Sequence, residues 1–306
     1  VTLSQPAPLL GGDPIGIEGG DVGTVRSPWR SALSVFYANR LAVVGVAIVV
    51  AMVLLCFVGP IIDPTNQVST NITQHLEPPG PNHLLGTDNL GYDEFGRLMV
   101  GGQVSLEIGL AVAVVSTIFG TLCGAAAGFL GGVVDAVMMR FVDALLALPG
   151  LALLLILTSI FKPTLPLLIV VLSIFTWLVP SRLVRGETLA LRVREYVQAA
   201  RAVGVSRGRI ITRHIIRNAI GVVIVNSTFQ VADAILTLAV LGYLGLGLPP
   251  PHADWGSMLS TGINYLYDGD WWLVYPTGLA ITITVVAFNF IGDGLRDSLD
   301  VRLKER

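Results

Sequence analysis

Charge, lysine and cysteine are all scarce in this 306-residue chain, and each scarcity excludes something. Charged residues make up 13% of it and hydrophobic ones 53%, with a mean hydropathy of +0.73. Soluble domains carry about 25% charged residues, so the chain reads as a polytopic membrane protein. Only two lysines are present, Lys162 in Phe-Lys-Pro and Lys304 in Leu-Lys-Glu. A phosphate-cradling loop needs Gly-Lys-Ser/Thr, so hydrolysis of ATP by a P-loop is excluded. The two cysteines, Cys56 and Cys123, lie in apolar runs, where neither a disulfide nor a metal pair is expected. The four histidines, His75, His83, His214 and His252, show no metal-ligand spacing. His-Glu-x-x-His does not occur and no nucleophile elbow is read, so no catalytic residue and no metal site is assigned.

What is abundant is apolar sequence in long runs. Residues 1–27 are rich in Gly and Pro and read as a disordered cytoplasmic tail. In 28–40, Trp29, Leu33, Phe36 and Tyr37 share one helical face between Arg30 and Arg40, which predicts a short amphipathic helix in the membrane interface. Six apolar runs follow, near 41–62, 105–129, 133–158, 164–184, 219–241 and 272–292. Each has roughly the 20 residues needed to cross hydrocarbon. The first reads as a span rather than a removable signal peptide. Asp135, Arg140 and Asp143 interrupt the third, and Arg140 and Asp143, three apart, are spaced to pair. The predicted fold is all-α, with 41–306 forming a six-helix transmembrane domain.

Charge is sorted by side, so the net charge of −2 says little. The loop at 63–104 holds Asp63, Glu77, Asp88, Asp93 and Glu94 against Arg97 alone. The loop at 242–271 has Asp254, Asp268 and Asp270 and no basic residue. Arg26, Arg30 and Arg40 precede the first span, and Arg296, Arg302, Lys304 and Arg306 follow the last. Basic segments stay in the cytoplasm, which places both termini there.

The richest segment is EYVQAARAVGVSRGRIITRHIIRN, residues 195–218, within a basic loop spanning 185–218. Nine arginines fall between Arg182 and Arg217, with Glu187 and Glu195 the only acids. Such charge stays out of hydrocarbon. Tyr196, Ala199, Ala200 and Val203 recur at helical spacing as one apolar face, opposite Glu195, Gln198 and Arg201. Gly204 ends that helix, and Ser206 is placed to cap a second. There Arg209, Arg213 and Arg217 form a cationic stripe beside Ile210, Ile211 and Ile215. Helix, glycine turn, helix is either a knob for a partner's groove or a solvated loop that sets topology.

Two patterns mark the spans. Asn226, Gln230, Asp233 and Thr237 form a polar stripe on the fifth. It either lines a translocation path or bonds helices together. Gly120, Gly124 and Gly128 repeat every four residues, a device for close helix packing. No internal repeat is visible, which argues against an inverted-repeat carrier.

Taken together, the chain resembles the permease subunits of bacterial ABC importers, specifically the C-type permease of the dipeptide/oligopeptide/nickel group. Residues 195–218 are similar to that family's EAA motif, with Glu195, Ala199, Ala200 and Gly204 in place. HLLGTDNLGYDEFGRLMVGGQVSLEIGL (83–110), GFLGGVVDAVMMRFVDALLALPG (128–150), YLGLGLPPPHADWGSML (243–259) and NFIGDGLRDSLDVRL (289–303) are similar to further group patterns. The resemblance implies a multi-pass inner-membrane subunit that works with a second permease, two cytoplasmic ATPase subunits and an external substrate-binding protein. It implies no cofactor in this chain, with ATP and Mg bound by the ATPases, and no nucleic-acid partner. It makes Glu195, Ala199, Ala200, Gly204, Arg207, Arg209 and Arg213 the ATPase-coupling residues, and puts Asp254 and Trp255 in contact with the binding protein. A short peptide is the expected substrate, with haem or a nickel complex as alternatives. Arg217 stands where the family often has proline, and Gly221, Val222 and Val223 where further prolines follow, which predicts that the second loop helix runs straight into the fifth span. Leu238 replaces a commonly acidic residue. The competing classes are a carrier or channel driven by an ion gradient, with Asp143 and Asp233 as its central carboxylates, and a membrane scaffold or insertase.

Overall fold

A computed structural model describes residues 28–65, 67 and 69–304, with side chains over 33–65, 67 and 69–299. The expected tail 1–27 lies outside them, as do the side chains of Trp29 and Arg30. The regular structure of the described residues is helical, apart from one isolated bridge, Thr87–Asp93. In chain order the helices are α1 (Pro28–Ala38), α2 (Arg40–Phe57), α3 (Gly59–Ile62), α4 (Glu94–Leu130), α5 (Gly132–Leu146), α6 (Gly150–Ile160), α7 (Leu165–Thr176) and α8 (Leu178–Leu191). Then come α9 (Glu195–Ala202), α10 (Arg207–Ile210), a π-helical stretch Ile211–Ile216, α11 (Arg217–Leu241), α12 (Trp255–Gly262) and α13 (Tyr275–Lys304).

Four segments are long and apolar enough to cross a membrane: Arg40–Ile62, Glu94–Leu130, Arg207–Leu246 and Trp271–Leu299. Two bent pairs, α5 with α6 and α7 with α8, make six if each pair is one span. The pairs bend by 81° and 43°. Pro149 causes the first break, because a proline pushes the residue before it out of helical geometry. Pro180 contributes to the second, since it has no N–H for the carbonyl of Thr176 four residues back. The predicted second span starts too late: α4 begins at Glu94, where Asp93 caps it by accepting from Gly96 N–H at 2.7 Å.

Helix α4 is the spine. Its 37 residues reach roughly 55 Å at 1.5 Å each. Gly120, Gly124 and Gly128 sit on α8, where an added Cβ would come within 2.7, 2.3 and 2.8 Å of Trp177 O, Ser181 O and Thr188 Cβ. Gly109 does the same against Ile235 of α11, at 2.6 Å. Glycine removes the side chains that would hold these helices apart. Helix α13 packs on α2, with Gly45 against Ala287 O, and on α1, with Phe36 near Gly294. Asn39 caps α2 and also donates to Asp297 at 3.3 Å.

The expected Arg140–Asp143 pair does not form. Asp143 instead pairs with Arg182, and Asp135 makes a two-pronged pair with Arg185, 2.7 Å at its Nη2. Two arginines three apart on α8 match both acids at once, whereas Arg140 stays exposed. These ion pairs hold α5, whose one buried residue is Val142.

Candidate functional site

Helix α9 and the turn after it are built by a complete C-terminal cap. Gly204 N–H donates to Arg201 O and Val205 N–H to Ala200 O, both at 3.0 Å, with Gly204 at φ +78°. This is the Schellman arrangement, and its left-handed residue favours glycine. No atom lies within 4 Å of an added Gly204 Cβ, so the demand here is backbone conformation, not space. Ser206 occupies the next N-cap by backbone conformation, though its side chain makes no capping bond. As predicted from Arg217, the second helix runs without a break into the fifth span.

The predicted apolar face of α9 divides, with Ala200 turned inward and Tyr196, Ala199 and Val203 outward. Val197 and Ala200 are buried, joining Ala125, Phe129, Val184, Ile210 and Ile215 in one cluster. Tyr196 is 42% and Val203 79% exposed, and Glu195 and Ala199 are exposed beside them. Arg207, Arg209 and Arg213 also face out. The result is a knob with an outward apolar strip, one acid and a cationic border. Glu195 sits in the first turn of α9, where the helix dipole favours an acid.

The knob is clasped to the end of α4. Arg192 Nη1 donates to Gly128 O at 3.0 Å, filling one of the carbonyls a helix end leaves open. Arg201 lies 4.5 Å over the Phe129 ring. Sequence reasoning did not single out Val197, Arg192 or Phe129. Nothing at the spacing level separates a residue facing its own core from one facing a partner.

The polar stripe of the fifth span divides. Gln230 is 4% exposed and lines no open path. Its Oε1 accepts from Thr117 at 2.7 Å and Ser116 at 3.1 Å on α4. Its Nε2 donates at 3.1 Å to Thr176 O, the carbonyl that Pro180 leaves without a helical donor. Asp233 is exposed, Thr237 donates to Asp233 O at 2.8 Å, and Asn226 is half-buried with an unpartnered Oδ1. The four residues therefore do not share one environment.

Asp254 and Trp255 are both fully buried, so neither offers a surface to an external protein. Asp254 forms a capping box with Ser257 and accepts from Leu248 N–H at 3.2 Å. Burial pushes its carboxyl above the usual carboxylate range, while the N–H donors of Ser257 and Leu248 pull it down. Trp255 Nε1 donates to Leu98 O at 3.0 Å. Added Cβ atoms on Gly242 and Gly247 would meet the Asp254 oxygens at 2.2 and 2.4 Å, which explains glycine at both.

A glycine-packed helical domain with four to six candidate spans and a basic knob at one end fits a membrane transport subunit. The chain belongs to the family of binding-protein-dependent transport system inner membrane components, whose model matches residues 120–305. The N-terminal transmembrane domain of oligopeptide transport permease C matches residues 27–79. The chain is 39% identical to the oligopeptide transport system permease protein OppC of Bacillus subtilis, over 91% of each chain. It is 36% identical to the dipeptide transport system permease protein DppC of Alkalihalophilus pseudofirmus, over 97% of each. A putative peptide transport system permease of Brucella suis is 43% identical over 85% of this chain and 88% of its own. The protein is thus a multi-pass permease component of a bacterial inner-membrane transport complex and is not itself a catalyst.

Proposed function

We propose that the chain is one of two permease subunits of an ATP-driven importer of short peptides. The names of its relatives support the substrate class. The observation that carries the coupling role is the outward strip of Tyr196, Ala199 and Val203 on a knob fastened to the end of α4. In this reading the strip seats in a groove of a cytoplasmic ATPase, with Glu195, Arg207, Arg209 and Arg213 at its rim. ATP and Mg bind the ATPase. Closure of the ATPases favours one transmembrane state over the other, and Ala200, Val197 and the Arg201–Phe129 contact carry the shift into α4 and α8. Both termini and the knob then lie in the cytoplasm. The second permease completes the path, to which Asn226, Asp233 and Thr237 contribute from α11. An external binding protein delivers the peptide to the loops around 63–93 and 242–271.

Co-purification in mild detergent tests this, with ATPase and second-permease subunits coexpressed. Wild type is expected to hold the ATPase, and Gly204→Trp to release it, because a side chain at φ +78° breaks the turn. Glu195→Lys is expected to abolish ATP-driven uptake while the protein stays inserted. Wild-type uptake in both variants, or solute movement by this chain alone without ATP, refutes the coupling role.

A further inference from the structure

A cavity of about 400 Å³ lies at the start of α4, at the opposite end from the knob. That is within the range of roughly 300–1,000 Å³ typical of small-ligand sites. Asp88, Asn89, Glu94 and Arg97 line one wall, and α12 with the 242–250 turn lines the other.

The charges in this wall do not balance. Asp88 accepts from the N–H groups of Leu90 and Tyr92 at 2.8 and 2.9 Å and pairs with Arg97 Nε at 3.5 Å. Glu94 is 3% exposed, and among the described residues no group donates a hydrogen bond to its carboxylate. Arg97 is 9% exposed and lies 4.5 Å over the Tyr92 ring, yet its Nη1 has no partner. Asn89 Oδ1 is likewise buried and unpartnered. Arg97 is shared between Asp88 and Glu94, so this sheltered wall sets two carboxyl groups against one guanidinium. A carboxyl group so placed holds a proton or takes a further cation. Among the described residues no three His, Cys, Asp or Glu side chains converge to hold a metal ion. A cation suited to this wall is one that brings its own hydrogen bonds.

The open groups have a pattern. Two acceptors, Glu94 and Asn89, stand beside one donor, Arg97 Nη1. An ammonium followed by a carbonyl is the complement, which is the amino end of a peptide. We propose that this cavity is a transit subsite for the free α-amino terminus of a peptide, with Glu94 accepting from the ammonium and Arg97 donating to the first carbonyl. The inference rests on the peptide-importer reading and adds what the permease itself checks: a free amino end.

The test uses the assembled transporter in nanodiscs, without its external binding protein. Tryptophan fluorescence is titrated with tri-alanine, with its N,N-dimethyl form, which keeps the charge, and with N-acetyl-tri-alanine, which loses it. Tri-alanine is expected to bind about tenfold more tightly than the acetyl form, the effect of one charge-assisted contact. The dimethyl form should fall between them. In Glu94→Gln the three should come within about twofold. Equal binding of the three by wild type overturns the proposal, and so does a preference that survives Glu94→Gln. The wild-type ladder decides alone if the variant does not assemble. ATP-driven uptake of tri-alanine by the complete system is measured in parallel. Uptake with no amine preference removes this subsite and leaves the importer; no peptide uptake removes both. Crosslinking of Glu94 to a lysine of the binding protein, with no peptide preference, assigns the cavity to that protein instead.

Discussion

Gln230 shows how one side chain can repair a proline. Pro180 bends α7 and α8 apart and leaves Thr176 O without its helical donor, and Gln230 supplies one from a third helix. Gln230→Leu strands that carbonyl and the Thr117 hydroxyl, while Ser116 keeps its bond to Val112 O at 2.6 Å; the loss is about 1–3 kcal/mol per unsatisfied group at most. We expect a lower melting temperature in detergent, with Gln230→Glu intermediate because it keeps the acceptor. Unchanged melting in Gln230→Leu contradicts the role. Asp254 makes a pH-dependent prediction. Its folded pKa is raised by burial, so the stability it contributes is complete below the ordinary aspartate pKa and declines as pH rises through the folded value. Asn accepts through one oxygen only, whereas Ser257 and Leu248 donate to different oxygens of Asp254. Asp254→Asn should thus be less stable than wild type, by a margin that narrows as pH rises above about 4. A margin constant with pH rules this out. The sequence left Gln230 open between path lining and helix bonding, and made Asp254 a surface contact for an external protein. Both roles depend on groups more than 50 residues away or on a local fold that spacing does not encode.

Among the elements, the glycine stripe and the Gly204 turn were legible because each rests on one local requirement: a missing side chain or a positive φ. The split of the α9 face was not. Tyr196, Ala199, Ala200 and Val203 share one periodicity, which records only that a surface is to be covered, not by what. The fold covers Ala200, and the apolar strip it leaves open is what a partner would cover. Helix α5 was also misjudged, because an i, i+3 pair within one helix competes with arginines from another, one of them bidentate. Its attachment predicts a charge swap. Asp135→Arg should loosen α5, increase proteolysis near the break at 147–149 and reduce uptake several-fold. Adding Arg185→Asp should restore both. Failure of the double variant to recover either readout argues against the pairing.

At the scale of the molecule, the number of apolar runs was readable from composition, since about 20 residues of hydrocarbon-compatible sequence are hard to disguise. Bends were not, although their prolines were in view. The family resemblance extended the reading to a partner-dependent machine, and the family match at 120–305 agrees with it. What no single motif disclosed is that the two candidate sites share one element. The carboxyl group of Glu94 stands at one end of α4 and the Arg201-covered Phe129 at the other. The helix between them is unbroken and locked by glycine contacts along much of its length. A rod of roughly 55 Å pivoting at one end through about 5° sweeps its far tip by roughly 5 Å. A tilt of α4 by a few degrees, shared with the helices its glycines lock to it, would therefore amount to several ångströms at the membrane face away from the pivot.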